Sequence, residues 1–334
     1  MQHSRVRAPT TQVLRTCLTT AQEGRSLPLI QSPRIDIAPQ GPTVSRITAG
    51  MWRLGEWNMD PAQRLAWIHQ AIERGVTTFD HADIYGGYTV EALFGEALAL
   101  EPSIRQQIQI VSKCGIALTT PNRPAHTIKH YNTSASHIVA SVEQSLSSLR
   151  TDRLDLLLIH RPDPLLDLDD IAEAFERLQS EGKVLCFGVS NFTPWQYQAL
   201  TSAVKLVTNQ VEFSPLRLDP LTDGTFDQLQ SVGVSPMIWS ALAGGRLFAT
   251  DSAHPDAARA ARVRAAIDTI ATTLNVSATT VLYAWVLRLP CKPVVLTGSQ
   301  RLSVLDEAVA ATGVSLSVQQ WFSIYEAALG HEVA

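Results

Sequence analysis

Short apolar runs alternate with helical segments from residue 44 onward, and this alternation limits what the chain can fold into. The runs are apolar on both faces, which is typical of strands in a parallel sheet covered by helices. Eight strands are predicted, at residues 47–51, 76–80, 108–113, 154–160, 184–190, 206–211, 234–239 and 293–297. The pattern predicts an α/β fold, a (β/α)8 TIM barrel. A doubly wound sheet is the alternative, but its G-x-G-x-x-G phosphate turn is missing after the first strand.

Local signals predict where helices begin and how the barrel is closed. Asp60 and Pro61 predict a helix start, with Asp60 as the N-cap and Pro61 at the first helical position. Ser136 is predicted to cap a later helix. That helix would turn five apolar side chains inward: Ile138, Val139, Val142, Leu146 and Leu149. Residues 34–37 precede a Gly41-Pro42 turn, which predicts a short N-terminal β-hairpin closing the barrel floor.

Length and charge restrict the possible partners. The 334 residues, 45% of them hydrophobic, suffice for one large barrel, so residues 34–334 are predicted to form a single domain. The net charge of −4 comes with no basic stripe, which argues against a nucleic-acid partner. No apolar run approaches the ~20 residues that cross a membrane, so no membrane partner is predicted. We expect a small-molecule substrate and a monomer or weak homo-oligomer.

Cysteine spacing and the N-terminus bear on location. The cysteines at 17, 114, 186 and 291 form no C-x-x-C motif, so neither a zinc site nor a disulfide framework is predicted. A reduced, cytoplasmic compartment fits this usage best. Residues 1–33 carry four arginines and one acid, a composition that resembles an organellar transit peptide. We favour the other interpretation, a flexible N-terminal extension over residues 1–33.

Four ionisable residues lie at, or just past, the ends of predicted strands: Asp80, Tyr85, Lys113 and His160. Strand ends are where a parallel barrel places its chemistry. Tyrosine, with a pKa near ~10, is a weak acid unless a cation favours its phenolate, and Lys113 would supply that charge. Asp80 would keep Lys113 charged, and His160 would orient a substrate oxygen. This set suits proton donation during carbonyl reduction, with hydride from a nicotinamide cofactor.

These residues belong to longer motifs that resemble a known family. The motifs run in order along residues 34–330 and comprise Asp80…Tyr85-Gly86, Lys113, His160 and Gly188-Val189-Ser190-Asn191-Phe192. Together they resemble the aldo-keto reductase superfamily, and the strings at 81–88, 159–164 and 319–322 resemble its bacterial YdhF-type oxidoreductases. The resemblance implies a (β/α)8 barrel and NADPH-dependent reduction of an aldehyde or ketone, with Tyr85 as the proton donor.

The same resemblance implies a set of NADP-binding residues. Ser190, Asn191 and Gln210 match residues that bind the nicotinamide carboxamide, and Trp239 stands where the family usually stacks a tyrosine on the ring. Arg301 offers a charged fork for a 2′-phosphate, so NADP is expected over NAD. The other implied cofactor residues are Gly50, Met51, Trp52, Ser240, Leu242, Gly244, Gly245, Arg246, Gly298, Ser299, Gln300 and Glu307. Besides Trp239, two positions depart from the family: Val304 replaces an arginine near the adenine, and Ala308 replaces an asparagine.

The loop over residues 115–135, called the lid loop below, follows Lys113 and is predicted to cover the substrate. Six residues are predicted to line the pocket: Trp52, Trp57, Tyr88, Arg161, Phe192 and Trp195. An aromatic pocket favours a hydrophobic or ring-bearing carbonyl, and Arg161 could anchor a carboxylate.

Two other functions remain possible on the sequence alone. Lys113 could form a Schiff base, as in a lyase, although Asp80 should keep it charged. The chain could instead be a non-catalytic sensor or regulatory subunit that binds NADPH. A metal site formed by His81, Asp83 and His160 is a minor alternative, and no metal is predicted because the usual first-strand H-x-H motif is missing.

Overall fold

Eight parallel strands close into a barrel in the computed structural model, which describes residues 30–248 and 254–334. The strands of the described residues, in chain order, are β1 Arg34–Asp36, β2 Thr43–Ser45, β3 Ile47–Gly50, β4 Thr78–Asp80, β5 Gln109–Cys114, β6 Ile116–Ala117, β7 His130–Tyr131, β8 Leu154–Ile159, β9 Val184–Ser190, β10 Asn209–Glu212, β11 Met237–Trp239 and β12 Val294–Thr297. The barrel order is β3-β4-β5-β8-β9-β10-β11-β12, and β12 pairs with β3. The TIM-barrel prediction is confirmed, and the doubly wound sheet is excluded because the sheet has no open edge.

Helices surround the barrel. They are α1 Pro61–Glu73, α2 Val90–Leu98, α3 Ala135–Leu149, α4 Leu168–Ser180, α5 Pro194–Thr201, α6 Thr225–Ser231, α7 Ala257–Leu274, α8 Ala278–Leu287, α9 Leu302–Ala310 and α10 Val318–Leu329. Short 3₁₀ helices lie at Leu54–Trp57, Pro102–Gln107, Asp219–Leu221, Ala243–Phe248 and Ala311–Gly313. Helix α8 is buried on nearly all sides, and α10 packs on α7. The five apolar residues expected to face inward from α3 are all buried.

Of the two helix caps predicted from the sequence, one is present and one is wrong. Asp60 caps α1 as predicted, because its carboxylate accepts a hydrogen bond from the backbone N–H of Gln63 at 2.8 Å. The predicted cap of α3 is wrong: Ser134, not Ser136, has the extended backbone of an N-cap and accepts from His137. Ser136 already lies in the first turn. Two serines two residues apart give the same local signal, and the preceding strand decides between them.

The predicted N-terminal hairpin is present. β1 pairs antiparallel with β2, with Arg34 opposite Ser45. Ile37 and Val44 are buried, and the carbonyl oxygen of Ile37 accepts a hydrogen bond from Ser235, just before β11, at 2.7 Å. The hairpin therefore covers the end of the barrel where the strands begin, and leaves the opposite end open for chemistry.

Two further predictions concern the domain bounds and membrane-spanning helices. The proposed extension at 1–33 lies almost entirely outside the described residues, so it stays a prediction, as does the single domain at 34–334. Within the described residues, no single helix is long and apolar enough to span a membrane. The pair α7 and α8 passes that test only when taken together, and the two helices meet at a bend of 98°.

Candidate active site

Asp80, Tyr85, Lys113 and His160, called the tetrad below, come together at the open end of the barrel as predicted from the sequence. Asp80 ends β4, Lys113 lies near the end of the adjacent β5, and His160 directly follows β8. The Nζ of Lys113 donates hydrogen bonds to Asp80 Oδ2 at 2.7 Å, to the His81 carbonyl oxygen at 2.6 Å and to Tyr85 Oη at 3.0 Å. These three acceptors use every proton of the ammonium group, so its position is fixed.

Burial and ion pairing set the protonation of this group. Burial alone lowers the pKa of Lys113, but Asp80 and the Tyr85 oxygen outweigh it, so the pKa of Lys113 is raised and the amine stays charged. Burial raises the pKa of Tyr85, and Lys113 offsets only part of that rise. The expected effect of Lys113 on the phenol is present, but burial outweighs it, so the pKa of Tyr85 is raised overall. Tyr85 holds its proton at neutral pH, which is the form that a proton donor requires.

His160 faces the phenol ring of Tyr85 edge-on, with 6.1 Å between ring centroids. Burial lowers its pKa well below the usual value, and the charges of Lys113, Arg161 and Lys129 lower it further. The ring is therefore neutral at physiological pH. A neutral imidazole carries one N–H, which can donate a hydrogen bond to a substrate oxygen beside Tyr85.

A cavity of about 1130 Å³ opens at the tetrad and extends along the strand ends. The predicted residues that line it are Gly50, Trp52, Asp80, Tyr85, His160, Arg161, Ser190, Asn191, Gln210, Trp239, Ser240, Leu242, Gly244, Gly245, Gly298, Ser299, Arg301 and Glu307. The structure thus brings most of the implied cofactor residues, together with Asp80, Tyr85 and His160, to a single cavity wall, while Lys113 is buried and does not line the cavity.

Three implied cofactor residues lie outside this wall. Met51 is buried in the core below it. Gln300 accepts a hydrogen bond on its carbonyl oxygen from the indole of Trp67 at 2.9 Å. Arg246 pairs instead with Asp256, at 3.0 Å, and its Nε donates to a nearby carbonyl oxygen.

The pocket prediction from aromatic residues needs the largest correction. Trp57 is buried and packs on Trp67, with 5.0 Å between ring centroids. Phe192 is only 3% exposed, and Trp195 is 78% exposed but lies on α5, outside the cavity. Sequence position fixed which residues follow a strand, but side-chain direction depends on neighbours that are distant in the chain. Residues not predicted from the sequence also line the cavity: Arg53, Ile84, Ile116, Leu118, Lys129 and Tyr131.

Tyr88 fastens the lid loop instead of lining the pocket. Its hydroxyl donates to the Ile116 carbonyl oxygen at 3.2 Å and accepts from the Leu118 N–H at 3.0 Å. The Arg123 guanidinium lies 4.3 Å from the Tyr88 ring centroid, and Asn122 donates to the Gly87 carbonyl oxygen at 2.7 Å. The lid loop, whose ends pair as β6 and β7, is therefore attached to the turn that carries Tyr85.

His81 lies behind the tetrad in an apolar setting. Its ring packs edge-on against Phe94 at 4.5 Å, and neither ring nitrogen has a hydrogen-bond partner among the described residues. Burial, then the charge of Lys113, lowers the pKa of His81 to about 3. Among residues 30–248 and 254–334, no cluster of three His, Cys, Asp or Glu side chains is arranged to hold a metal ion.

We expect His81→Leu to make the protein less sensitive to acid. The unfolded state binds a proton at His81 near pH ~6.5, whereas the folded state resists it down to about 3. Stability is therefore lost as the pH falls below ~6.5, by about 1.4 kcal/mol per pH unit for this residue. Burial raises the pKa values of Asp83 and Glu91, so these two groups add stability as the pH falls. The effect of His81 is therefore the difference in the free energy of unfolding between the wild type and the variant.

The measurement is the free energy of urea unfolding of both proteins between pH 7 and 4. The advantage of His81→Leu should grow as the pH falls, and His331→Gln, at an exposed histidine, should show no such trend. A difference that stays constant with pH would mean that His81 is not held neutral in the fold.

Known proteins are similar to this chain in sequence and in fold. Residues 46–328 match the family model of the aldo/keto reductases. The chain belongs to the aldo/keto reductase family. Oxidoreductase YdhF of Escherichia coli (strain K12) is 52% identical over 303 residues, covering 90% of this chain and 99% of that protein. The 6-dehydroglucose reductase of Agrobacterium fabrum is 45% identical over 294 residues, covering 87% and 96%.

Solved aldo/keto reductase-type structures share the fold. The glycerol dehydrogenase AKR11B4 from Gluconobacter oxydans superposes with a TM-score of 0.76 at 22% identity, covering 90% of this chain and 95% of that one. The thermostable aldo-keto reductase Tm1743 gives a TM-score of 0.73 at 24% identity, covering 88% and 99%. These matches, with the family model, confirm the resemblance and the barrel read from the sequence.

An aldo/keto reductase typically uses a nicotinamide cofactor, and the residues present fit one. Gly244 and Gly245 have positive φ, and a Cβ built on either would meet no atom of the described residues within 4 Å, so these residues leave open space beside the loop backbone. Gln210 donates to Asp80 Oδ1 at 2.8 Å, while its own amide oxygen accepts no hydrogen bond from a described residue. That oxygen, with Ser190 and Asn191 beside it, is suited to a carboxamide group.

Proposed function

We propose that this protein reduces an aldehyde or ketone to an alcohol with NADPH, and that Tyr85 donates the proton. One observation carries the proposal: the charged Lys113 contacts both Asp80 and Tyr85 in the wall of a cavity that also contains Ser190, Asn191 and Gln210. Proton-donating and carboxamide-binding groups thus face the same space, as carbonyl reduction requires.

The chain's own residues account for the proton transfer. When bound, NADPH supplies the hydride that reduces the carbonyl carbon. The Tyr85 hydroxyl then gives its proton to the carbonyl oxygen as negative charge develops there. Lys113, 3.0 Å from the phenol oxygen, stabilises the phenolate that remains, and Asp80 keeps Lys113 in place. The neutral His160 orients the same oxygen by donating a hydrogen bond.

The test is to follow the loss of reduced cofactor with purified protein across aldehydes, ketones, quinones and dicarbonyls. Sugar-derived aldehydes belong in the panel because two relatives, 45% and 38% identical, are named 6-dehydroglucose reductase. We expect at least one carbonyl to be reduced with multiple turnovers. Tight NADPH binding with no turnover on any carbonyl would replace this proposal with the sensor role.

The Schiff-base lyase is less well supported. A Schiff base requires an uncharged, accessible amine, whereas Lys113 is 1% exposed, charged and fully hydrogen-bonded. Borohydride treatment with an aldehyde should leave the mass of the peptide that contains Lys113 unchanged. A covalent adduct on Lys113 would favour the lyase.

Arg301→Ala should weaken NADPH binding far more than NADH binding. Arg301 is the exposed N-cap residue of α9 and lines the cavity beside Ser299. If its guanidinium meets the 2′-phosphate, loss of that charged hydrogen bond should raise the Kd of NADPH by about 10- to 150-fold. Fluorescence titration measures both cofactors, with Arg288→Ala, an exposed arginine after α8, as the control. Equal affinity of the wild type for NADPH and NADH would contradict the NADP preference.

Asn122→Ala combined with Arg123→Ala should loosen the lid loop. The pair loses the hydrogen bond to Gly87 and the contact with the Tyr88 ring. We expect the KM for the carbonyl to rise by about 2- to 10-fold, while the Kd of NADPH changes little. Gln144→Ala, which removes an exposed hydrogen bond on α3, is the control. If KM and substrate range do not change, residues 115–135 are a surface insertion and not a lid.

A further inference from the structure

Arg161 places a charge in the cavity that no described residue neutralises. It directly follows His160, is partly buried and lines the cavity. Its guanidinium makes no hydrogen bond or ion pair within the described residues, and its central carbon lies 5.8 Å from the centroid of the Trp239 ring. Burial lowers the pKa of Arg161, and the field of Tyr131, Tyr85 and Glu212 offsets part of this.

The two arginines that are buried among the described residues are both paired. Arg64 contacts Glu96 at 2.7 Å, and Arg105 contacts Asp155 at 2.8 Å. Both also donate to backbone carbonyl oxygens. Because a sheltered charge is costly without a partner, the fold provides one at these positions. Arg161, which faces the cavity, lacks such a partner.

Lys129 brings a second cation to the same place. It extends from the lid loop, lines the cavity and has no ion pair among the described residues. Lys129 is itself exposed, and its charge adds to burial, Lys113 and Arg161 in lowering the pKa of His160. Two positive charges from different elements thus face the space beside the tetrad.

The acids of the cavity wall do not balance these charges. Asp80 is engaged by Lys113 and by Gln210, at 2.7 and 2.8 Å. Glu307 lies on α9 after β12, the segment implied to hold the adenosine end of the cofactor. Glu212 is not part of the cavity wall, and its nearest cation is Arg246 at 4.0 Å. An anion that enters the cavity would supply the partner that Arg161 lacks among the described residues.

We infer that Arg161 and Lys129 form an anion subsite, and that the carbonyl substrate carries a carboxylate or another oxyanion away from its reacting carbon. This rests on the proposed function and names the substrate class for it. The planar fork of Arg161 matches an oxyanion with two hydrogen bonds, and Lys129 adds a second charge from the lid loop. A neutral substrate would leave the partly buried Arg161 without an anionic partner.

The test compares 4-formylbenzoate with 4-formylbenzamide, which has the same shape and no charge. The value of kcat/KM with NADPH is measured for wild type, Arg161→Gln and Lys129→Gln. Lys205→Gln is the charge-matched control, because Lys205 contacts Gln40 at the opposite end of the barrel. A sulfonate and a phosphate monoester of the same ring distinguish which oxyanion the subsite takes.

The ratio of kcat/KM for 4-formylbenzoate to kcat/KM for 4-formylbenzamide should fall by about tenfold or more in Arg161→Gln. It should also fall in Lys129→Gln, while Lys205→Gln keeps the wild-type ratio. A wild type that does not favour any of the three oxyanions over the amide overturns the subsite, as does a preference that survives in both cavity variants.

Failure of the subsite and failure of the proposed function are distinguishable. If no aldehyde is reduced, the proposed function fails, and calorimetric binding of benzoate and benzamide to NADPH-loaded protein then tests the subsite. Benzoate binding that is lost in Arg161→Gln supports the subsite, and absence of benzoate binding to the wild type overturns it. If the amide is reduced as well as all three oxyanions, the function stands and the subsite is wrong.

Discussion

Tyr85→Phe should lower carbonyl reduction by about 10²- to 10⁴-fold while NADPH still binds. The substitution removes one oxygen and keeps the ring that faces His160. The phenol is the proton donor of the proposed reaction, and burial keeps it protonated at neutral pH by raising its pKa. Single-turnover hydride transfer on the best substrate measures the effect, with circular dichroism as the check on folding.

The matched control for this prediction is Tyr131→Phe. Tyr131 also lines the cavity, but its hydroxyl has no contact with Lys113. Its rate should fall far less than that of Tyr85→Phe. If folded Tyr85→Phe reduces the substrate at the wild-type rate, Tyr85 is not the acid and the proposed mechanism is wrong.

Lys113→Met should damage both activity and stability. The side chain is 1% exposed and its Nζ lies 2.7 Å from Asp80, so its loss leaves a buried carboxylate without its cation. Breaking a buried pair in this way costs about 3–5 kcal/mol in the free energy of unfolding. Carbonyl reduction should fall as well, because no charge remains to stabilise the Tyr85 phenolate. Urea unfolding and single-turnover rates measure the two effects.

The double variant Asp80→Asn with Lys113→Met separates the two consequences. It removes both charges, so it should recover part of the lost stability but none of the lost activity. Lys183→Met removes an exposed lysine paired with Glu143 and Glu181, and should disturb stability much less. Wild-type stability in the single variant Lys113→Met would show that Asp80 does not need its partner.

The sequence alone determined the barrel and the positions of its chemistry. Strand and helix spacing is a local property, so the apolar runs predicted all eight barrel strands and the floor hairpin. Asp80, Lys113 and His160 could be predicted to meet, because the ends of parallel strands lie at one edge of a barrel. The capping signal at Asp60 was equally local, whereas Ser134 and Ser136 gave the same signal and only the structure chose between them.

Only the tertiary structure decided which way side chains point and what charge they carry. Trp57 and Phe192 follow strands as pocket residues would, but contacts from distant segments, such as Trp67, bury them. Lys129 was missed because a loop has no periodicity from which its position over the tetrad could be read. The pKa of Tyr85 rises, despite Lys113, because burial depends on how the whole chain surrounds the phenol. The local sequence pattern predicts the order of strands and helices. The direction of a side chain, its burial and the electric field on it depend on neighbours that only the folded chain brings together.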